Sequence, residues 1–500
     1  MSTPGARAVS PYSPGYKRLV LALMMTAYAF NFIDRTIVSS LGQAIKLDLK
    51  ISDTQLGLLG GLYFALLYTL LGIPLARLSE RISRVNIIAV AIVVWSGFTT
   101  LCGFASGFAS LAALRFGVGV GEAGLTPPAH ALISDYYEPK KRASALSIYS
   151  LGVPIGTMIG AIAGGWLAQH YSWRIAFMAL GAPGVLIAIA IKLLVKEPPR
   201  GHSEPELELA AAEVAPVALA QSKSLSAEVR DIWDVAKVLF GRWPVANMVF
   251  GITLVSFAGY GGGAFVQPYF LRSFHVNYAQ VGLYTGLIGG VSAAIGTVLG
   301  GFLADRLARS GAARWYALVP ALGIALAYPF ILAVYTAPTW SMALFWLVFP
   351  GAISYVYQGP TYGVIQNMFP VNRRATAIAV TFLFLNLIAM GGGPPFAGWM
   401  IDHFAAFHLA HPDQTSVLAA IMGGPGADVH LLQRSCPGGI GTPGAGAAVD
   451  LACKGAVQLA TRQGVILAYG FGLWGALHYL LACFGLKAAL AKARADRGEV

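Results

Sequence analysis

Four ionisable side chains lie inside segments that are otherwise apolar, and their types suggest a specific chemistry. Asp34 and Arg35 occur in NFIDRTIV, and Arg115 and Glu122 occur in RFGVGVGE. Charged groups inside a bilayer are costly, so they normally face the protein interior and are paired. An acid in such a group can be held ionised by arginine or made neutral by burial. A carboxyl group that switches between these two states can carry a proton.

The composition indicates that these residues belong to an all-α integral membrane protein. The chain has 500 residues, of which 56% are hydrophobic and only 11% are charged, and its mean hydropathy is +0.65. Soluble proteins carry roughly 25% charged residues. Because a spanning helix needs about 20 mostly apolar residues, the sequence predicts twelve spans. They lie at about 17–45, 54–78, 85–105, 107–136, 143–169, 173–195, 243–272, 279–303, 314–336, 339–368, 375–404 and 462–486.

Two long polar or glycine-rich segments divide these spans. The predicted order is an N-terminal tail (1–16), a six-helix bundle (17–195), a linker (196–242), a second six-helix bundle (243–486) with a long external loop (405–461), and a C-terminal tail (487–500).

The net charge of +12 predicts how the chain lies in the membrane. Most lysines and arginines lie in the termini and the even-numbered loops. The opposite side carries Lys46, Lys50, Arg174, Arg272, Arg434, Lys454 and Arg462. The positive-inside rule then places both termini in the cytoplasm of a multi-pass plasma or inner membrane protein. The excess charge is therefore a topology signal and does not indicate a nucleic-acid partner.

The two halves contain matching sequences in the same order. QLGLLGGL, which begins at Gln55, matches QVGLYTGL at Gln280, and RASA (142–145) matches RATA (374–377). The halves are therefore parallel six-helix repeats. Parallel repeats with a site near the bilayer midplane are a transporter architecture.

Motifs throughout the chain resemble those of the major facilitator superfamily. GFLADRLAR (301–309) matches the loop motif Gly-x-x-x-Asp-Arg-x-x-Arg, and ARLSERISR (76–84) is a divergent copy with Ala76 and Glu80. RFGVGVGEAG (115–124) and GVPIGTMIG (152–160) resemble motifs of the fourth and fifth helices. The resemblance implies a transporter with alternating access, and it predicts that the chain is not an enzyme.

A narrower resemblance is to the spinster branch of that superfamily. It rests on NFIDR (31–35), SDTQLGLLGG (52–61) and GVGEAG (119–124). This branch is associated with proton-linked movement of lysophospholipids and sphingoid-base phosphates. The long 405–461 loop is not part of the branch pattern.

The four deep charges occur only in the first repeat. Their equivalents in the second repeat, Gly259, Tyr260, Leu347 and Ser354, are uncharged. If the first and fourth helices are neighbours, as the resemblance implies, the depth of Asp34 falls between Arg115 and Glu122. We expect these residues to take part in proton coupling. The alternative is a static ion-pair network that fixes helix packing, since buried pairs can serve specificity.

Other polar residues suggest a gate, hinges and a binding pocket. The loop motifs predict a cytoplasmic gate formed by Glu80, Arg81, Arg142, Asp305, Arg306 and Arg374. GYGGGAF (259–265) and MGGGPP (390–395) predict hinges or tight helix packing. Candidate substrate contacts are Asn31, His130, Tyr260, Gln267, Tyr355, Gln358 and Asn386. For any one of them, ordinary interior polarity is the favoured interpretation.

Cysteine and histidine residues predict one covalent feature. Cys436 and Cys453 lie in the predicted external loop and could form a disulfide on an oxidising side. His403, His408 and His411 give a weak metal signal, so we expect no metal and no cofactor. The expected partners are a small amphiphilic or lipid substrate, protons and the bilayer, with the protein acting as a monomer.

Together these features predict a secondary active transporter. The favoured function is proton-coupled export of a lysolipid-like or other amphiphilic molecule. The alternative is proton symport of an organic anion, in which Arg35 and Arg115 would bind a carboxylate. A non-transporting receptor or a lipid enzyme is a further class, but the sequence shows no nucleophile–base set for an enzyme.

Overall fold

The computed structural model describes residues 12–200, 202–203, 225–309, 312–370 and 373–495, and every regular element within them is helical. The all-α expectation is thereby confirmed. The first half forms α1 (Pro14–Leu49), α2 (Asp53–Gly60), α3 (Leu62–Arg81), α4 (Arg84–Cys102), α5 (Phe108–Glu122), α6 (Thr126–Tyr136), α7 (Pro139–Ser150), α8 (Gly152–His170), α9 (Trp173–Gly181) and α10 (Pro183–Leu194).

The second half follows a short helix, α11 (Leu225–Gly241), at the end of the predicted linker. It forms α12 (Trp243–Ala264), α13 (Val266–Ser273), α14 (Tyr278–Ala308), α15 (Trp315–Thr336), α16 (Trp340–Ser354), α17 (Gln358–Asn367), α18 (Arg374–Phe384), α19 (Gly391–Ala410), α20 (Val417–Gly423), α21 (Val429–Ser435), α22 (Ala447–Ala482) and α23 (Leu486–Ala495). A π-helical turn at Leu385–Met390 joins α18 to α19.

The repeated Gln55 and Gln280 have the same structural role. Ser52 caps α2 and Asn277 caps α14, and in each case the glutamine three residues later bonds back to the cap. This reciprocal arrangement satisfies backbone donors at the start of a helix that no other group would satisfy. The repeat is therefore visible in sequence partly because both halves need the same helix start.

Within the part of the chain that the structure describes, eleven helical segments are long and apolar enough to cross a membrane. α1 is the twelfth long helix, with 36 residues, which corresponds to about 54 Å at the usual rise per residue. Asn31, Asp34 and Arg35 make it less apolar than the others. The twelve-helix expectation is therefore approximately confirmed.

Several helices extend beyond the predicted spans. α1 begins before residue 17 and continues past residue 45. α19 extends to Ala410 and α22 begins at Ala447, so the loop predicted at 405–461 is reduced to 411–446. The added turns are interrupted by polar residues, His408 in α19 and Asp450 and Lys454 in α22, so an apolar span need not include them. We call residues 411–446 the distal insert.

Among the described residues, the extensive apolar core that the two halves share lies toward one face of the bundle. We call the face where α1 begins the terminal face and the face where α1 ends the distal face. One core joins residues such as Ile37 and Leu41 of α1 to Phe265 and Ile401 of the second half, toward the distal face. Toward the terminal face the halves have largely separate cores. The described helices therefore close the distal face and separate toward the terminal face.

Both glycine-rich segments coincide with changes in helix geometry. α12 ends at Ala264, and Phe265 leaves helical geometry before α13 begins. MGGGPP begins at the last residue of the π-helical turn. Such turns are frequent at functional sites, and here both breaks lie in helices that contact the first half.

Candidate functional site

Arg35 and Glu122 form an ion pair between α1 and α5. Nε of Arg35 donates to Oε2 of Glu122 at 2.8 Å, and the glutamate side chain is fully buried whereas 18% of the arginine side chain is exposed. A charge-assisted bond of this kind is among the stronger hydrogen bonds in proteins. Arg35 therefore lies between the buried Glu122 carboxylate and the solvent.

Three aromatic rings surround the Arg35 guanidinium. Its central carbon lies 5.1 Å from the ring centre of Phe32, 4.9 Å from that of Phe64 and 4.5 Å from that of Tyr68. Cations are attracted to ring faces at such distances, more strongly where water is excluded. The rings therefore fix the direction in which Arg35 presents its charge to Glu122.

The carboxyl group of Asp34 is buried and forms no ion pair among the described residues. The residue is 2% exposed, and its Oδ1 atom has no hydrogen-bond partner within that part of the chain. Thr99 of α4 lies beside it, but the two side chains do not reach hydrogen-bond geometry in this conformation. A buried carboxyl oxygen without a donor is poorly suited to carry a permanent charge.

Arg115 does not pair with either carboxylate, contrary to a simple pairing of two acids with two bases. It is 1% exposed, and its guanidinium donates to the backbone carbonyl oxygens of Leu59 and Asp34, both at 3.4 Å. It also lies over the ring of Phe64, 5.4 Å from the ring centre. The structure thus brings the four residues together, but only Arg35 and Glu122 form an ion pair.

The candidate substrate contacts fall into two groups. Asn31 is 1% exposed, and neither end of its amide has a hydrogen-bond partner within the described chain. Tyr260, exposed by 45%, lies within electrostatic range of Arg35 although it belongs to the second half. Tyr355 is 38% exposed. These exposed tyrosines, together with the separate cores, indicate a cavity between the halves that opens at the terminal face.

The other candidates are placed less favourably. Gln267 is buried on α13 near the distal face, where its amide donates to Thr285 at 3.2 Å, so it does not line this cavity. His130 is exposed on α6, and its ring packs edge-on against that of Tyr149 at 5.2 Å. Gln358 and Asn386 are partly buried, in α17 and the π-helical turn.

The described residues of the predicted cytoplasmic gate make contacts within their own halves. Arg142 donates to the Ser134 carbonyl at 3.2 Å, and Arg374 donates to that of Phe369 at 3.3 Å. Asp305 accepts from the Tyr316 hydroxyl at 3.2 Å. Arg81 and Arg306 are exposed, and the Glu80 side chain lies outside the described residues. These contacts agree with halves that are apart at the terminal face.

A second buried charge cluster lies at the distal face, and it corrects the expectation that only four charges are deep. Asp53 of α2 accepts two bonds from the Arg272 guanidinium, at 2.6 and 3.1 Å, and one from Lys46 Nζ at 2.5 Å. The side chains of these three residues are at most 5% exposed. Lys46 and Arg272 lie on the side opposite the start of α1, as the charge distribution predicts, but their burial was not evident from the sequence.

Asp402 of α19 completes this connection between the halves. Its carboxylate accepts bonds from the backbone amides of Asp53 and Thr54, at 2.9 and 2.7 Å, and from the Thr54 hydroxyl at 2.6 Å. Arg272 also donates to Gln43 and Thr461, at 2.7 and 2.8 Å. We call Lys46, Asp53, Arg272 and Asp402 the distal lock. The one sequence signal for it was Asp53 within SDTQLGLLGG.

Cys436 and Cys453 are joined by a disulfide that links the distal insert to α22. The three histidines of the weak metal signal bond elsewhere. His408 contacts Gln463 and the Gln414 carbonyl, and His403 and His411 contact backbone carbonyls of α19. No group of residues that could hold a metal ion occurs in the described chain.

Comparison with known proteins identifies the family. Residues 24–394 match the Major Facilitator Superfamily. An MFS-type efflux pump of Mycolicibacterium smegmatis is 30% identical over 389 residues, which cover 77% of this chain and 83% of the pump. A hexuronate transporter of Bacillus subtilis is 30% identical over 181 residues, or 36% of this chain and 43% of that protein.

A solved structure is similar over nearly the whole chain. It is the crystal structure of a bacterial homologue of the human lysosomal transporter spinster, in an inward-facing and unoccupied conformation. Its TM-score is 0.78 at 30% sequence identity, with 96% of this chain and 99% of that chain covered. The chain therefore belongs to the Major Facilitator Superfamily, a family of membrane transporters and not of enzymes, and it resembles the spinster transporters as its motifs predicted.

Proposed function

We propose that this transporter exports lysophospholipid-like or other amphiphilic molecules in exchange for protons, by alternating access. The observation that carries the proposal is the contact between Arg35 and Glu122 at the cavity, with the unpaired carboxyl oxygen of Asp34 behind it. The exposed Tyr260 and Tyr355 each offer an aromatic ring and a hydroxyl group to the cavity, which suits a molecule with a polar head and an apolar tail.

Protons and substrate compete for the same carboxylates in this mechanism. Glu122 bonds to Arg35 while it is ionised, and protonation removes the charge that holds the guanidinium. A substrate head group with a cationic amine needs an ionised carboxylate, so substrate and proton exclude each other. Competition of this kind couples export of the substrate to import of protons.

Alternating access requires that the distal lock and the terminal-face gate are never open together. In the described conformation Asp53, Arg272 and Asp402 hold the distal face closed. We propose that both chain termini lie in the cytoplasm, as the positive-inside rule indicates. The cavity then opens to the cytoplasm of a plasma or inner membrane, and the protein works as a monomer.

Symport of an organic anion is the competing function, and the site fits it less well. An anion that binds Arg35 would have to displace the Glu122 carboxylate. The anion would therefore bind together with a proton, which neutralises Glu122. Arg115 is committed to backbone carbonyls and is almost fully buried. The two functions predict opposite directions of transport under the same proton gradient.

Transport in proteoliposomes tests the proposal. Fluorescent lysolipids and organic anions would be offered under pH gradients of each sign, with wild type, Asp34→Asn, Glu122→Gln and, as a control, Asp48→Asn. Asp48 is also an acid of α1, but it pairs at the distal face with Arg174. We expect wild type and Asp48→Asn to move a lysolipid in the direction opposite to the flow of protons. The two cavity variants should lose the dependence of transport on the pH gradient. Folded cavity variants with an unchanged pH response would refute proton coupling at this site, and anion uptake with protons would favour the symporter.

A further inference from the structure

A second cavity lies at the distal end of the second half, outside the central site. It occupies about 370 Å³ where the ends of α13 and α15 meet residues 455–462 of α22. Its lining includes Tyr269, Ser273, Tyr335, Gln458, Leu459 and Arg462. Ligand pockets begin at about 300 Å³, whereas one water takes about 30 Å³. The cavity is therefore large enough for a molecular head group.

The lining of this cavity is polar at its rim and apolar behind it. Arg462 is exposed, and no carboxylate lies within ion-pair distance of it among the described residues. Ser273 and Gln458 add a hydroxyl and an amide. The Tyr269 hydroxyl is already committed to the Tyr335 carbonyl at 3.2 Å. One free cation with hydrogen-bond donors on an apolar floor suits an anion that carries a hydrocarbon chain.

The depth of the cavity places it at the edge of the bilayer. α15 ends at Thr336 and α16 begins at Trp340, so the intervening residues Ala337 and Pro338, which also line the cavity, turn at the membrane surface. Tryptophan is typical of this level, and arginine there can reach lipid phosphates. The ligand can therefore enter from the lipid layer.

The cavity also adjoins the distal lock. Ser273 directly follows Arg272, and Arg462 directly follows Thr461, whose hydroxyl accepts a bond from Arg272. The lock residues face the first half, while their neighbours in sequence line the cavity. A ligand that holds Ser273 and Arg462 therefore also holds Arg272 beside Thr461, in the position from which it binds Asp53.

We propose that this cavity binds the phosphate head group of an anionic lipid from the distal leaflet and that the bound lipid stabilises the closed distal lock. The proposal does not depend on which substrate the central cavity carries. It assigns Arg462 to phosphate binding and the apolar floor to the first part of the lipid chain.

Protection of a cysteine inside the cavity tests this proposal without interference from the central site. Ser273→Cys would be labelled with a neutral maleimide in nanodiscs of phosphatidylcholine alone and with increasing phosphatidylglycerol. Ser416→Cys, an exposed position in the distal insert, reports any general effect of lipid charge on labelling. Arg462→Gln removes the cation, and Arg434→Gln is a matched control for loss of a distal-face arginine.

We expect phosphatidylglycerol to slow labelling at Ser273→Cys and to leave Ser416→Cys unchanged. Because one arginine near a membrane surface contributes about 1 kcal/mol toward anionic lipid, Arg462→Gln should raise the lipid fraction needed about fivefold, and Arg434→Gln should not. Equal labelling at all lipid fractions, or protection that Arg462→Gln leaves unchanged, would overturn the proposal. Equal protection by inorganic phosphate in phosphatidylcholine nanodiscs would show a site for free anions and would overturn the assignment to lipid.

Discussion

The Arg35 side chain shows how one residue type can be required beyond its charge. Its guanidinium is planar, donates to Glu122 and lies against three aromatic rings at the same time. A lysine ammonium carries the same charge, but it is a compact point charge with a stronger hydration shell. The site therefore depends on the shape of the cation as well as on its sign.

Arg35→Lys should slow proton-driven transport by about tenfold, since the lost ring contacts and the lost planar donor group are worth about 1–2 kcal/mol. Arg174→Lys is the matched control, because Arg174 also pairs with an acid and lies over a ring, that of Trp173, but at the distal face. The rates are measured in proteoliposomes under a fixed pH gradient. A rate for Arg35→Lys equal to that of Arg174→Lys would mean that charge alone is sufficient.

Glu197, in the segment after α10, gives stability a dependence on pH. Burial opposes ionisation of its carboxyl group, but bonds from the Val85 amide, Arg84 and Ser83 outweigh it, so the pKa of Glu197 lies below its ordinary value. Because its pKa is lower in the folded state, Glu197 stabilises the folded protein at pH values above the unfolded-state pKa near 4.5. This contribution disappears as the pH falls through the pKa of the folded state.

Glu197→Gln should therefore lower the thermal unfolding midpoint at neutral pH and make less difference as the pH falls below about 4.5. The side chain reaches solvent, so the contribution to the free energy of unfolding is at most about 1 kcal/mol. Unfolding scans between pH 3 and pH 7 measure it, with the exposed Glu138→Gln as a control. A difference between wild type and Glu197→Gln that grows on acidification would contradict the assigned direction.

Much of the site could be predicted at the level of single residues. The four deep charges were evident because ionisable groups are rare in apolar helices. Which of these charges form ion pairs could not be predicted, because Arg115 is held by Leu59 and Phe64, and nothing in the sequence distinguishes these two from other apolar residues. The distal lock was missed for a different reason: Lys46 and Asp53 lie where a span meets a loop, and hydropathy cannot distinguish a buried charge there from an exposed one.

At the level of helices, glycines set how closely the halves approach. A Cβ atom on Gly57 of α2 would lie 2.2 Å from the Pro394 carbonyl oxygen of α19, and one on Gly61 would lie 2.8 Å from that of Met390. Both contacts are with backbone, which cannot rotate away as a side chain can. α2 and α19 can therefore close the distal face only because these positions lack a side chain.

Gly57→Ala should favour separation of α2 from α19 and so disfavour the closed distal face. Gly72→Ala in α3 is the control within the same span, because a Cβ atom there meets nothing within 4 Å. Spin labels on the two distal loops, at Phe104→Cys and Asp413→Cys, report the separation of the halves. We expect a longer distance for Gly57→Ala only. An unchanged distance distribution would mean that α2 can shift locally without moving the halves.

At the scale of the whole molecule, the parallel repeat predicted the architecture but not the conformation. Matching motifs such as those at Gln55 and Gln280 show that two similar bundles exist. They do not show which face the bundles close, because that depends on pairs such as Asp53 with Arg272 whose members are far apart in sequence. The helix ends that lie beyond the predicted spans, as in α19 and α22, could not be predicted from hydropathy either.

Asp53→Asn should open the distal face, because it removes an ion pair between the halves and leaves Arg272 and Lys46 buried without their carboxylate. Breaking a buried pair costs about 3 kcal/mol, which corresponds to about a hundredfold shift toward the open conformation. Asp48→Asn removes a more exposed acid at the same face, whose pair with Arg174 lies within one half. The same spin-label pair measures both variants. A population shift of equal size in both would show that general surface charge, and not the distal lock, controls the opening.

The distal insert contacts both halves of the closed molecule. Its disulfide ties it to α22, and Gly438 approaches the end of α1 so closely that a Cβ atom there would lie 3.0 Å from the Lys46 carbonyl oxygen. The surface that the insert and α1 form together exists only while the distal face is closed. An antibody fragment raised against this composite epitope would therefore recognise one conformation, and it would give a small membrane protein a rigid fiducial for particle alignment in electron cryomicroscopy.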